Sequence, residues 1–240
     1  LAARQRTGAV QSHEVLIFFA APPHRRRTTT PDTLGSHHAR KTRLLHPIQP
    51  HLAHRRCGQF RAGITPSPKG LLQHLACVSH RKELGPAHAG EEVVIASLEN
   101  ADEMMALLDG VDAVVHMGGV STEQPWEPIL AGNIVGMVNL YEAARKAGTK
   151  RIIFASSNHA TGFYKQSETI PPTVKPKPDG FYGLSKAFGE NVGQMYWDRW
   201  GIETLSVRIG SSFPEPVDRR MLATWLSYDD LERVVVAGLT

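Results

Sequence analysis

The chain has 240 residues, 41% of them hydrophobic and 21% charged, enough for one sizeable domain with its own apolar core. No apolar run reaches the roughly 18–20 residues of a membrane span, and the run Val15–Pro23 is followed, not preceded, by Arg25, Arg26 and Arg27, the reverse of a secretory signal. The net charge of +4 hides an asymmetry: residues 1–85 hold 14 Lys+Arg against 3 Asp+Glu, a balance of +11, whereas residues 86–240 hold 13 against 20, a balance of −7.

Residues 1–82 read as an atypical basic segment, irregular and poorly ordered. Nine of the twelve histidines and both cysteines, Cys57 and Cys77, lie within the first 85 residues. Stretches such as RRRTTT, HHARK and HPIQPH break any helical or strand period, and the apolar scraps are short: Val15–Ala20 and Leu71–Val78. Three readings stay open: a basic arm that contacts nucleic acid or a membrane surface, an Arg-rich and acid-poor transit peptide, or a wrongly translated or joined start. The third best fits the lack of local consistency. The histidines show no metal-ligand spacing, so no metal is expected. The cysteines form no C-x-x-C and imply no disulfide framework, so a reducing, cytoplasmic compartment is expected.

From Glu83 onward the pattern changes. Glu91–Ala96 is a β-branched run that predicts a strand, and Ala101–Leu108 predicts an acid-started helix with Asn100 as its N-cap. Val111–Met117 predicts a strand that ends at Gly118 and Gly119. Glu127–Ala147 predicts a long helix closed by Gly148. Arg151–Ala155 is the next strand, Asp179–Trp200 contains a long helix closed by Gly201, and Glu203–Ile209 is a further strand. Met137, Leu140, Phe188 and Met195 fall at helical spacing and read as core; Trp126 and Trp225 also read as buried. Strands alternating with helices predict an α/β fold, a Rossmann-like doubly wound parallel sheet over residues 83–240.

Tyr182-Gly-Leu-Ser-Lys186 carries the sharpest chemical signal. On a helix these two side chains lie one turn apart on one face. A lysine cation beside a phenol lowers its pKa, so that a tyrosine normally titrating near 10 can act as a base. Alone the spacing is weak, since many surface helices carry it. Its context is stronger: strand Arg151–Ala155 delivers Ser156, Ser157, Asn158 and His159 at its carboxyl end, where open α/β sheets bind ligands.

The strand-end serine followed by the Tyr-x-x-x-Lys helix resembles the extended short-chain dehydrogenase/reductase family, also called the NAD-dependent epimerase/dehydratase family. The stretches FASSNHATGFY, PDGFYGLSKAFGEN, VRIGSSFPEP, RMLATWLSYDD and HMGGVS…NIVGMVNLYEAAR are similar to its uronate dehydrogenases. The resemblance implies NAD-dependent oxidation of the C1 hydroxyl of galacturonate or glucuronate to an aldarolactone. It implies Tyr182 as acid/base, Ser157 as hydrogen-bond partner of the reacting oxygen, and Lys186 as pKa modifier and ribose ligand. Arg220 would bind the sugar carboxylate, and Ser121, Asn158, His159 and Ser211 would be further substrate ligands. Ser97, Leu98, Met117, Gly118 and Gly119 would contact the cofactor together with Tyr182 and Lys186. Asn133 is expected as structural support. The partner implied is a small sugar acid, with no membrane partner; a nucleic-acid role for the basic arm is the weaker option, and a homo-oligomer paired through the two long helices stays open. A nucleotide-sugar epimerase or dehydratase on the same scaffold is the alternative, or a silent relative.

Two departures from the family stand out. Its glycine-rich turn, which admits the pyrophosphate to a helix N-terminus, is not found: Gly8, Gly35, Gly58, Gly63 and Gly70 are not suitably spaced. Ser97 also stands where the family usually has an aspartate. The chain stops soon after Asp230, so its last segment is expected to be truncated. Poor NAD binding and impaired activity are therefore expected of the chain as written.

Overall fold

The computed structural model describes residues 75–79 and 91–239. The run Val15–Ala20, Cys57 and the basic stretches before them lie outside those residues. In chain order the elements are β1 (Leu75–Ser79), β2 (Glu91–Ile95), α1 (Ala101–Leu107), β3 (Ala113–His116), α2 (Trp126–Ile129), a π-helical turn (Leu130–Val135), α3 (Gly136–Ala147), β4 (Arg151–Ser157), α4 (Phe181–Trp200), β5 (Glu203–Ile209) and α5 (Tyr228–Leu239). Short 3₁₀ turns occupy Asn158–Thr161 and Met221–Ala223.

Every strand pairing is parallel. β1 pairs with β2, with Leu75 opposite Glu91, and β4 lies between β3 and β5. These are the places 3-2 and 4-5-6 of a doubly wound sheet, the Rossmann-like arrangement the alternation predicts. No described strand pairs with both β1 and β3. β1 itself comes from the apolar scrap Leu71–Val78, where five residues are too few to display a period. It gives β2 a neighbour and leaves β3 without one on that side.

The elements form where capping and burial dictate. The Asn100 side chain accepts from the N–H groups of Asp102 and Glu103, and the Glu103 carboxylate reaches back to the Ser97 N–H at 2.7 Å, closing both ends of a capping box around α1. Gly148 and Gly201 take left-handed conformations just beyond α3 and α4, as the sequence predicts. β3 is buried at all four positions, which fits a strand covered on both faces. Val114, Ile152, Leu107, Leu140 and Tyr141 form the centre of the core. Met137 and Leu140 are buried as predicted, and Phe188 packs half-buried against them. Met195 is 42% exposed instead, because the buried face of α4 runs through Val192 and Tyr196. Trp225 is also partly exposed, its indole donating to the Phe213 carbonyl at 3.0 Å.

The expected helix over Glu127–Ala147 is one helical run with a widened turn inside it. That turn contains Gly132 and Asn133, both buried. Wide turns of this kind re-aim a side chain and are frequent at functional sites. No described helix is long and apolar enough to cross a membrane.

The carboxyl ends of β3, β4 and β5 open on one edge of the sheet, which places Met117–Gly119, Ser157–His159 and Gly210–Ser211 together there. Beneath that edge His116, the last residue of β3, stacks on Phe154 with ring centroids 5.7 Å apart. It is buried and its Nδ1 has no protein partner. Burial, with the Lys186 cation as a second cause, lowers its pKa from 6.5 to about 3. The unfolded chain therefore binds a proton at His116 that the folded chain refuses between those two values. Folding stability is expected to fall as pH drops from 6.5 towards 3, by on the order of a few kcal/mol from this group. Denaturant melts across that range check this: His116→Phe should flatten the acid limb, and an unchanged slope would show that His116 does not set it.

Candidate active site

Ser157 ends β4 with an extended backbone, and its hydroxyl caps the following 3₁₀ turn by accepting the His159 N–H at 3.2 Å. The same hydroxyl donates to the Asn158 Oδ1 at 3.2 Å, and it stands close enough to the Tyr182 phenol to favour its ionised form. Tyr182 reaches it from the first turn of α4. That close approach depends on Gly183, where an added Cβ would lie 2.3 Å from the His159 carbonyl oxygen, a backbone atom that cannot swing away.

Lys186 follows one turn later and is buried. Its ammonium donates to the Ala155 carbonyl at 2.9 Å and sits 5.1 Å and 5.5 Å from the ring centroids of Phe154 and Tyr182. Burial lowers its pKa from 10.5 to about 8. The expectation that Lys186 lowers the phenol does not hold for the protein alone. Burial raises Tyr182 above its ordinary value, and the one opposing cause is the Ser157 hydrogen bond.

His159 stands edge-on to Tyr182, ring centroids 5.6 Å apart, and its Nδ1 lies 2.9 Å from Asp179 Oδ2. Sequence reasoning passed over Asp179. The signal was an acidic residue directly before Gly180, at the start of the helix that carries Tyr182. A second unforeseen group joins the framework. Glu190, one turn beyond Lys186, accepts from the Ser156 hydroxyl at 2.6 Å and from both Nε and Nη2 of Arg208 on β5, at 2.8 and 2.7 Å. This half-buried bidentate pair ties α4 to β4 and β5 at the level of Ser157.

Asn133 serves as the structural support expected of it. Its amide accepts the Val120 N–H at 2.6 Å and donates to the Val120 carbonyl at 3.0 Å and the Ser185 hydroxyl at 2.8 Å. Gly119, with φ +96°, occupies a conformation that side-chain-bearing residues rarely adopt, and a Cβ there would meet Asn133 Oδ1 at 2.1 Å.

The remaining expected residues are spread around this centre. Gly118 and Gly119 follow β3, Met117 packs partly buried at its end, and Ser121 is exposed in the next loop. Ser211 lies just past β5, its backbone paired with Thr224 and Leu226. Arg220 extends into solvent with its side chain 82% exposed, 4.0 Å from Asp218. The Ser97 hydroxyl accepts from the Glu99 N–H at 3.2 Å, and Leu98 is buried with its carbonyl bonded to Asn139 at 2.9 Å. Among the described residues no cluster of side chains could hold a metal ion.

Comparison with known proteins agrees with this geometry. A uronate dehydrogenase of Pseudomonas syringae pv. tomato is 53% identical over 167 residues, 69% of this chain and 61% of the relative. One of Pseudomonas putida is 56% identical over 149 residues, 62% of this chain and 56% of the relative. The chain thus spans about three-fifths of the length of these curated relatives. The crystal structure of a mutant uronate dehydrogenase from Agrobacterium tumefaciens complexed with NAD superposes with a TM-score of 0.69 at 45% identity, covering 76% of this chain and 66% of that one. A family model matches residues 68–227, so that the likeness begins ahead of Glu83 and takes in β1. With a parallel sheet whose central edge presents Ser157 to a Tyr182–Lys186 helix, and a family match over more than half its length, the chain belongs to the NAD dependent epimerase/dehydratase family.

Proposed function

We propose that the site oxidises the C1 hydroxyl of a cyclic hexuronate, galacturonate or glucuronate, to an aldarolactone, with NAD as acceptor. The observation that carries the reading is the convergence of Ser157 and Tyr182 with buried Lys186 behind them, in a chain more than half identical to curated uronate dehydrogenases where they align.

The described residues fit the nicotinamide end of the cofactor. Lys186 spends one of its three protons on Ala155, which leaves two for ribose hydroxyls. Gly118 and Gly119 present backbone without side chains at the strand end. When bound, oxidised nicotinamide accepts the hydride from C1 and adds positive charge to the site. Tyr182 needs that charge, since burial alone keeps its phenol protonated. The phenolate then takes the proton of the C1 hydroxyl while Ser157 hydrogen-bonds the same oxygen, so that loss of proton and hydride leaves a lactone carbonyl.

In this reading Arg220 binds the sugar carboxylate with its two-pronged guanidinium. Its side chain is 82% exposed, with Asp218 4.0 Å from one guanidinium nitrogen. Ser121, Asn158, His159 and Ser211 contact the sugar hydroxyls. Ser97 and Leu98 border the adenine end. The enzyme acts in the cytoplasm, and two copies pair through α3 and α4, where Val138 and Trp197 leave apolar surface exposed.

A second reading, an impaired relative, is favoured by one observation: the sequence has no glycine-rich turn, and no described strand joins β1 to β3. A calorimetric titration with NAD separates the two. Micromolar affinity is expected if the chain is an active dehydrogenase, and absence of heat up to millimolar NAD would establish the impaired reading. In the active case Tyr182→Phe is expected to cut galacturonate turnover by about a hundredfold to ten-thousandfold, leaving NAD affinity within about twofold. Turnover within tenfold of the parent would remove Tyr182 as the base. Arg220→Lys is expected to raise KM for the uronate by about ten- to hundredfold, because an ammonium cannot reproduce the paired hydrogen bonds. An unchanged KM would place the carboxylate elsewhere.

A further inference from the structure

The geometry points to Glu123 as a positioning residue for Tyr182, one that couples the Ser121 loop to the helix bearing the base. The loop that follows β3 carries Gly118, Gly119, Ser121 and Glu123. The two carboxylate oxygens of Glu123 accept the first two amides of α4, Phe181 N–H at 2.9 Å and Tyr182 N–H at 3.0 Å. α4 has no cap of its own: Gly180 precedes it without a side chain, and no acidic residue stands in its first turn. Its cap comes from a residue 58 positions earlier.

The carbonyl of Tyr182 is tied to the same loop. It accepts from the Ser185 hydroxyl at 2.7 Å, Ser185 accepts from the Asn133 amide at 2.8 Å, and that amide holds both backbone groups of Val120. Tyr182 is therefore tethered on both sides of its peptide frame to residues 120 and 123, and Ser121 lies between them. Trp126 packs on Phe181 with ring centroids 5.4 Å apart, a second fastening beside the carboxylate. Gly180 completes the socket, for a Cβ there would lie 2.4 Å from Glu123 Oε2. A sugar hydroxyl that orders Ser121 also orders the backbone of the base. Glu123 contributes reach and two acceptor oxygens, with its charge placed favourably at the helix N-terminus.

This inference rests on the reading of Tyr182 as the base, but amide exchange tests it without turnover. Residue-resolved exchange is measured on the intact chain and on Glu123→Ala, Glu123→Gln and Glu123→Asp, beside galacturonate oxidation. In Glu123→Ala the Phe181 and Tyr182 amides are expected to exchange at least about tenfold faster while the Val192 amide keeps its rate. Where turnover is present, kcat falls by about tenfold or more and NAD affinity stays within about twofold. Glu123→Gln keeps the reach but offers one acceptor oxygen for two amides, and Glu123→Asp keeps both acceptors one methylene short, so each is expected to restore part of the protection lost in Glu123→Ala. Gly180→Ala, whose extended backbone tolerates a side chain, expels the carboxylate without altering Glu123 and is expected to match Glu123→Ala, so a poorly folding Glu123 variant does not end the test. Unchanged exchange, an equal rise at Val192, or no protection beyond that of Glu123→Ala in both the Gln and Asp variants would each overturn the coupling. Absence of turnover with the expected exchange pattern would instead bear on the proposed oxidation.

Discussion

The buried ammonium of Lys186 sets the terms for everything around it. Withdrawing that cation from water costs enough to bring its pKa down to about 8, and the structure compensates with one carbonyl and two aromatic faces. Its neighbours answer to it. His116 is kept neutral by burial and by the lysine together. The Tyr182 phenol, also buried, stays protonated until more positive charge arrives. In the proposed oxidation that charge comes with the oxidised cofactor.

Fixing that cluster requires three elements to meet within hydrogen-bond reach, and each is held by polar contacts. α4 is locked to β4 and β5 by Glu190, Ser156 and Arg208. The loop after β3 is locked to the π-helical turn by Asn133 and to α4 through Ser185. In water each bond would be worth little, but half-buried networks whose members are all paired hold one arrangement against its alternatives. The widened turn follows from this: a regular helix over residues 130–135 advances 100° per residue and would aim residue 133 elsewhere, whereas the wider turn delivers its amide to Val120.

What the sequence made legible was local. Capping at Asn100, the terminal glycines 148 and 201, the strand at 203–209 and the one-turn spacing of Tyr182 and Lys186 depend on neighbours a few residues apart, and the structure shows each of them. Ser157 at a strand end was legible because parallel strands present their carboxyl ends to ligands. The distant partners were not. Asp179 meets His159 across 20 residues, Glu190 meets Ser156 across 34, and Glu123 meets Tyr182 across 59. No periodicity encodes such pairs; only the folded topology brings them together. β1 escaped notice for a related reason, since its identity as a strand comes from pairing with β2 more than from its own five residues.

The division of the sheet separates two tasks that a dinucleotide fold usually merges. β3, β4, β5 and α4 form a continuous unit whose strand registers and polar locks lie within residues 113–239, over a core that Leu98, Met104, Leu107, Leu108 and Val111 complete. Ser157, Tyr182 and Lys186 belong wholly to it. β1 and β2 stand on the other side of the interval between the sheets, where a doubly wound fold receives the phosphates, and α1 joins them to the catalytic unit through its packing on α3. The positions of these three side chains follow from contacts among β3, β4, β5 and α4, with α1 closing the core beneath them. Catalytic geometry and dinucleotide affinity are separable properties in such an arrangement, because binding energy collected at the phosphates can set how often the site is occupied without altering where the phenol, the hydroxyl and the ammonium stand.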